Sequence, residues 1–144
     1  MGTDAPDIED GDRAAENLKT VRLHYAAFAG GDLDGLVAGL DPNVLICVHD
    51  EHGKPVGDGI RGRDQARAFF EEIHSEVAHT TVEIHTLRAD GNKVLAQVSL
   101  GGTNRTTGVT GAIPATHLFT LFDGQIREIR THRPDWHARP AEAG

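Results

Sequence analysis

The chain is poor in the residues that build covalent or metal-based frameworks: it has one cysteine, one tryptophan, one tyrosine and one methionine, and aromatic residues make up 5%. The single thiol, Cys47, excludes an intramolecular disulfide and a cysteine-based zinc site, and it fits a reducing compartment, so a cytoplasmic location is expected. Basic residues are also scarce. With 14 Lys and Arg against 22 Asp and Glu, the formal net charge is −8. That charge repels phosphate backbones and anionic lipid, so neither nucleic acid nor membrane is an expected partner. No apolar run approaches the roughly 20 residues of a membrane helix, and the opening Met1–Asp12 stretch is acidic without an apolar core. Neither a span nor an export signal is expected.

What is present suits one compact domain: 144 residues, 38% hydrophobic and 25% charged. The acidic start, residues 1–12, and the Ala, Pro, Glu and Gly tail, residues 137–144, have little to bury and are expected to be loose, leaving a single domain over residues 13–136. Leu18, Val21, Tyr25 and Phe28 recur at helical spacing, and Gly30-Gly31 is a stop signal, which predicts a helix from Asp12 to Ala29. Asp32 is an N-cap for a second short helix carrying Leu33, Leu36, Val37 and Leu40, ended by Asp41-Pro42-Asn43. Val44–Val48 reads as a strand, followed by the polar turn Asp50–Gly53. Ala66, Phe69, Phe70 and Ile73 form the apolar face of a third helix after Gly62-Arg63-Asp64.

From His79 the period changes to two. Long antiparallel strands are predicted at Thr81–Leu87, Lys93–Leu100, Thr116–Phe122 and Gln125–Arg133, with turns at Ala89–Asn92 and Asp123-Gly124. Gly101–Pro114, rich in Gly and Thr, is expected to be an irregular strand end or a mobile loop that gates a pocket. The fold class is α+β, a curved antiparallel sheet with one face covered by the N-terminal helices.

Three separated stretches carry a family resemblance: His24-Tyr25-Ala26-Ala27-Phe28-Ala29-Gly30-Gly31-Asp32-Leu33-Asp34-Gly35-Leu36, then Gly59-Ile60-Arg61-Gly62-Arg63, then Phe122-Asp123-Gly124-Gln125-Ile126. Over about residues 14–136 the chain resembles the SnoaL-like polyketide cyclases of the nuclear transport factor 2-like superfamily, which also holds ketosteroid isomerases and limonene-epoxide hydrolase. Within the family, the composition is similar to the type that forms indane rings in reduced-polyketide pathways. The resemblance implies a conical α+β barrel around one deep, largely apolar pocket, commonly in a homodimer, with a hydrophobic polyketide as substrate and no cofactor.

Counted without gaps from these motifs, the isomerases' general base falls on Val48, their hydrogen-bonding acid on Thr116 and their helix-one tyrosine on His24. The epoxide hydrolases' strand Arg and Asp fall on Gln97 and Ser99, and their last-strand Asp, also expected in aldol-type cyclases, on Thr131. A hydrocarbon at Val48 cannot take a proton, and the hydrolase triad is missing. The pocket implied is lined by His24, Ile46, Val48, Gln97, Ser99, Thr116, Leu118, Ile129 and Thr131, hydrogen-bonding but not strongly basic. Such a cavity suits an intramolecular carbon–carbon ring closure, including a [4+2] cycloaddition, whose barrier is mainly the entropy of folding a flexible chain.

Three residues are candidates for direct chemistry. Tyr25 lies on the buried stripe, where its hydroxyl meets either the pocket or a backbone carbonyl. Asp50, on the same strand face as Ile46 and Val48, is the remaining general-base candidate. His117 is expected to face the outer, dimer side of the sheet, and takes the acidic role only if the strand register shifts by one residue. His49-Asp50-Glu51-His52 has metal-ligand composition but reads as a solvated turn, so no metal is expected. Glu128, Arg130 and His132 alternate as an exposed or dimer-facing charged ladder, and Trp136 is expected to cap the core or the pocket edge. Arg61 and Arg63 open helix three, where a carrier protein can dock transiently, although a solvated helix start is the simpler reading. The competing functions are an acid/base cyclase or epoxide-hydrolase-like enzyme using Asp50 with a histidine, and a non-catalytic domain that binds a small hydrophobe or serves as a dimeric scaffold.

Overall fold

The computed structural model describes residues 4–50, 52 and 54–132, so the expectations for Trp136 and for the tail lie outside the described residues. The elements are α1 (Asp4–Ala29), α2 (Leu33–Ala38), β1 (Leu40–His49), β2 (Ile60–Arg61), α3 (Gly62–Glu76), β3 (Val77–Asp90), β4 (Lys93–Asn104), β5 (Thr110–Phe122) and β6 (Gln125–His132). Helix α1 begins earlier than apolar spacing alone suggests. It stops where expected: the Gly30 N–H reaches the Ala26 carbonyl, and Gly31 turns the chain at φ +68°. Asp32 then caps α2 by accepting from the Gly35 N–H at 3.0 Å. Arg63, at the start of α3, donates twice to the Leu40 carbonyl, at 2.9 and 2.7 Å, which fixes α3 against the α2–β1 junction and leaves its guanidinium engaged rather than free.

The strands form one six-stranded sheet in the order β2-β1-β6-β5-β4-β3. It is mixed rather than antiparallel throughout, because β1 runs parallel to β6 while the other pairings are antiparallel. One face packs on the helices. On β4 the alternation is plain, with Val94, Ala96 and Val98 buried between exposed Lys93, Leu95 and Gln97. The same face of the neighbouring strands contributes Ala115, Phe119 and Leu121 from β5, Ile126 and Ile129 from β6, and Val44 and Ile46 from β1, against Val21 and Tyr25 of α1 and Ala66 and Phe70 of α3. Among the described residues, no helix is long and apolar enough to cross a membrane.

The segment Gly101–Pro114 is not an irregular loop. It forms the ends of β4 and β5, paired in register from Gly101↔Ala112 to Thr103↔Thr110, around a short turn. In that turn the Asn104 carboxamide accepts the Thr106 and Thr107 N–H groups, and Arg105 ties it to α3 through Glu76 O and His74 O. The glycines serve packing: a Cβ on Gly101 would come within 2.5 Å of the Thr81 hydroxyl, and one on Gly102 would collide with Val77. β3 approaches so closely that only glycine fits.

Candidate functional site

Cross-strand pairing assigns each candidate to a face of the sheet. Val48 of β1 lies beside Thr131 of β6, Thr131 opposite His117 of β5, and His117 opposite Ala96 of β4. Because directly paired residues share a face, Val48, Thr131 and His117 lie in one row with buried Ala96, on the side the helices cover. The adjacent row holds Ile46, Ile129 and Phe119. Tyr25 descends onto these rows from α1, and its hydroxyl lies 2.6 Å from Nδ1 of His117.

This corrects the expected orientation of His117, which faces inward. Conversely, Thr116, Leu118, Gln97 and Ser99 lie on the outer face. Gln97 pairs with Thr116 and Leu95 with Leu118, each one residue out of step with the buried set. There Ser99 Oγ meets Nε2 of His85 at 2.8 Å, and Gln97 Oε1 accepts from the Thr86 hydroxyl at 2.9 Å. A concavity of about 490 Å³ lies against Gln97, Thr116, His85 and His132 on that outer face.

Burial sets the protonation of the inner pair. It pushes the His117 imidazole down to about 4 and raises the Tyr25 phenol well above its ordinary value. At neutral pH both are uncharged, and the phenol oxygen and Nδ1 share one hydrogen bond in which the imidazole tautomer decides which of them donates. His24 stands beside them with its ring edge-on to Tyr25, Phe70 and Phe119 at centroid distances of 5.7, 5.8 and 5.5 Å. Burial, and secondarily His117, hold His24 down at about 3. Its Nδ1 is buried and has no hydrogen-bond partner among the described residues. The centre of the inner face is therefore an uncharged polar island of Tyr25, His117, His24 and Thr131 in an aromatic and aliphatic surround.

Asp50 is not part of it. Its Oδ1 accepts the backbone N–H groups of His52 and Lys54 at 2.9 and 3.0 Å, closing the turn after β1. Those bonds, the one from Lys54 foremost, hold its carboxyl below the usual range, as suits a fixed turn residue rather than a base. Among the described residues, no three His, Cys, Asp or Glu side chains converge as metal ligands. Of the charged ladder, Arg130 bonds Glu128 on the outer face.

The pairing missed from sequence is Tyr25 with His117, and the contribution of His24 to its aromatic wall. The signal lay in β4, whose apolar even positions, Val94, Ala96, Val98 and Leu100, force Gln97 and Ser99 outward and His117 inward.

Comparison with known proteins places these features in context. No curated protein matches the chain. Among solved structures, a polyketide cyclase assignment from Xanthomonas campestris pv. campestris superposes with a TM-score of 0.78 at 22% identity, covering 92% of this chain and 99% of its own. A protein assigned as a SnoaL-like polyketide cyclase from Jannaschia sp. CCS1 gives 0.76 at 23% identity, with 89% and 91% covered. SalBIII, an epoxide hydrolase/cyclase-like enzyme with a role in pyran ring formation in the polyether salinomycin, gives 0.70 at 27% identity, with 83% and 91% covered. The SnoaL-like domain model matches residues 21–129, from α1 into β6, and the chain belongs to the SnoaL-like domain family.

Proposed function

We propose that the protein is a cofactor-independent polyketide cyclase that closes a carbon–carbon ring in a flexible, largely apolar intermediate by holding one reactive conformer against the inner face of the sheet. The observation that carries this reading is the uncharged Tyr25–His117 pair, 2.6 Å apart, at the centre of an otherwise apolar face. In this reading Tyr25 donates to Nδ1 and so holds the imidazole in the tautomer whose Nε2–H is the donor for a carbonyl or enol oxygen. A neutral imidazole polarises such an oxygen without transferring a full proton. An intramolecular cycloaddition neither gains nor loses atoms, so orientation is most of what it requires, and orientation supplies up to about 7–11 kcal/mol of a barrier.

Asp50 gives little support to the acid/base alternative, because its carboxylate closes a turn. The likeness to SalBIII keeps carbon–oxygen ring closure as the competing reading. Two copies of the chain meet, in this reading, through the outer sheet face, where Leu95 is 39% exposed and neighbours Leu118.

The test uses a synthetic linear triene carrying a tethered enone, with ring closure followed above the spontaneous rate. Asp50→Asn and His24→Ala are each expected to slow closure by no more than about tenfold, His117→Ala, which removes the donor to the oxygen, by about a hundredfold, and the rate to stay flat between about pH 6 and 9. Val48→Trp and Thr131→Trp, which fill the row beside His117, are expected to abolish turnover in a folded protein. A loss of about a thousandfold in any of the three polar variants would reject conformer trapping in favour of acid/base catalysis.

A further inference from the structure

The regular alternation of β3 breaks at His85. The register of β3 on β4 shifts between Ile84 and Thr86, so His85 is the extra residue of a bulge, and two consecutive polar side chains, His85 and Thr86, reach the outer face. There each meets a residue of β4. Nε2 of His85 lies 2.8 Å from Ser99 Oγ, and the Thr86 hydroxyl donates to Gln97 Oε1 at 2.9 Å. These bonds fix His85 and Gln97 while leaving part of their capacity unused. Gln97 keeps both N–H groups of its carboxamide and His85 keeps Nδ1, and neither the Thr116 hydroxyl nor the His132 imidazole has a hydrogen-bond partner among the described residues.

Thr86, Gln97, Thr116 and His132 are paired in one row across β3, β4, β5 and β6, about 14 Å from end to end at the usual strand spacing. The concavity of about 490 Å³ follows this row, with His85 of β3 and His132 of β6 at its two ends and Pro114 beside it. Its floor is main chain. Val98 and Ala115 border it, yet their side chains are buried, at 1% and 4% exposure, on the side the helices cover. No Lys, Arg, Asp or Glu lines it, so an anion would meet no counter-charge on a chain of net charge −8. A hydrocarbon would leave the amide, hydroxyl and imidazole groups unpaired. A hydroxyl both gives and accepts a hydrogen bond, and several of them in a row match this mixed set. We propose that the outer concavity is a second ligand site, which takes an uncharged polyhydroxylated molecule of about disaccharide size laid across the strands, with its hydroxyls on Gln97, Thr116, His85 and His132. Ser99 and Thr86 hold two of these groups before the ligand arrives, which lowers the cost of ordering them. The site is independent of the Tyr25–His117 face, since the sheet stands between the two. Leu95 and Leu118, through which two copies are proposed to meet, occupy the adjacent row toward the β5–β6 turn.

The experiment titrates the full chain with maltose to about 50 mM and follows the histidine Cε1–H resonances. Saturable shifts of His85 and His132 are expected in the millimolar range, as suits groups that compete with water, while His24 and His117 stay unmoved. Thr116→Val, which keeps the shape and removes the hydroxyl, and Gln97→Leu are each expected to weaken binding about three- to tenfold. An unmoved His117 resonance in both variants reports that the fold persists. Leu95→Asp is expected to keep the maltose response, and its loss there would overturn a site built from one chain. Absence of shifts at His85 and His132, or undiminished binding in both Thr116→Val and Gln97→Leu, would overturn the proposal. Tighter binding of hexanol or of glucuronate than of maltose at these residues would overturn the ligand class. Shifts confined to His24 and His117 would also refute the outer site, while leaving the inner-face reading standing.

Discussion

Acidification should destabilise this protein through its two inner histidines. Burial lowers His24 to about 3 and His117 to about 4, from 6.5. A depressed pKa means that the unfolded chain binds the proton first. The stabilisation is therefore complete above about pH 6.5, declines as pH falls below it, and is gone once the folded-state values are passed. At pH 5 both folded values still lie below the ambient pH, so each histidine has lost about 1.5 pH units of linkage, or roughly 2 kcal/mol. The pair together loses about 4 kcal/mol, a large part of a typical stability of about 5–15 kcal/mol. For a chain of this length that corresponds to a Tm lower by roughly 10–15 °C. Calorimetry from pH 8 to 5 on the wild type, His24→Phe and His117→Gln isolates the effect from carboxylate titration, because each variant should recover about half of the loss. Parallel Tm–pH curves for all three proteins would refute the assignment of neutral, buried imidazoles.

Other outcomes follow from the same geometry. His24→Phe removes an unpartnered buried nitrogen from an aromatic cluster and is expected to leave stability at pH 7.5 unchanged or to raise it by about 1 kcal/mol, measured by urea titration. Tyr25→Phe strips His117 of its Nδ1 partner and is expected to destabilise the fold by about 1–3 kcal/mol, with a change in the His117 tautomer pattern in nitrogen-15 spectra. Arg105→Ala removes the side-chain bond to the His74 carbonyl while keeping the backbone bond to Glu76, and hydrogen exchange at residues 104–109 is expected to accelerate modestly while the β4 core amides stay protected. Under the proposal that two copies meet through the outer face, Leu95→Asp is expected to convert dimer to monomer in light scattering at micromolar concentration, and a wild-type mass of one chain, or an unchanged mass in the variant, would overturn that interface.

The fold was legible where one residue type decides a local conformation. Gly30-Gly31 and Asp32 mark the α1–α2 junction from sequence alone, because a left-handed stop and a side-chain cap need no tertiary context. The Gly101–Pro114 segment was not legible for the opposite reason. Glycine there answers to the closeness of β3, a contact between residues some twenty positions apart, and in sequence that is indistinguishable from a flexible run. The parallel pairing of β1 with β6 is likewise invisible locally, since nothing in Val44–Val48 names its neighbour.

The site turned on parity. β5 reads Thr116, His117, Leu118, Phe119, and both sets of alternate positions contain large apolar residues, so that strand alone cannot say which face is buried. β4 can: Val94, Ala96 and Val98 are buried, and burying the odd set instead would place Lys93, Gln97 and Ser99 against the helices, each with polar groups lacking partners. Antiparallel pairing carries that decision across the sheet, from Ala96 to His117 and from His117 to Thr131. One residue of slip therefore exchanges a polar set of Gln97, Ser99 and Thr116 for the inner cluster of Tyr25, His117 and His24. The exchange also changes the chemistry within reach, because an imidazole held by a phenol has a fixed position, whereas amides and hydroxyls on a solvated face compete with water. The surviving inner residues, Ile46, Val48, Ile129 and Thr131, lie on β1 and β6, where the count from the sequence motifs agrees with the observed pairing, and they share the face of His117.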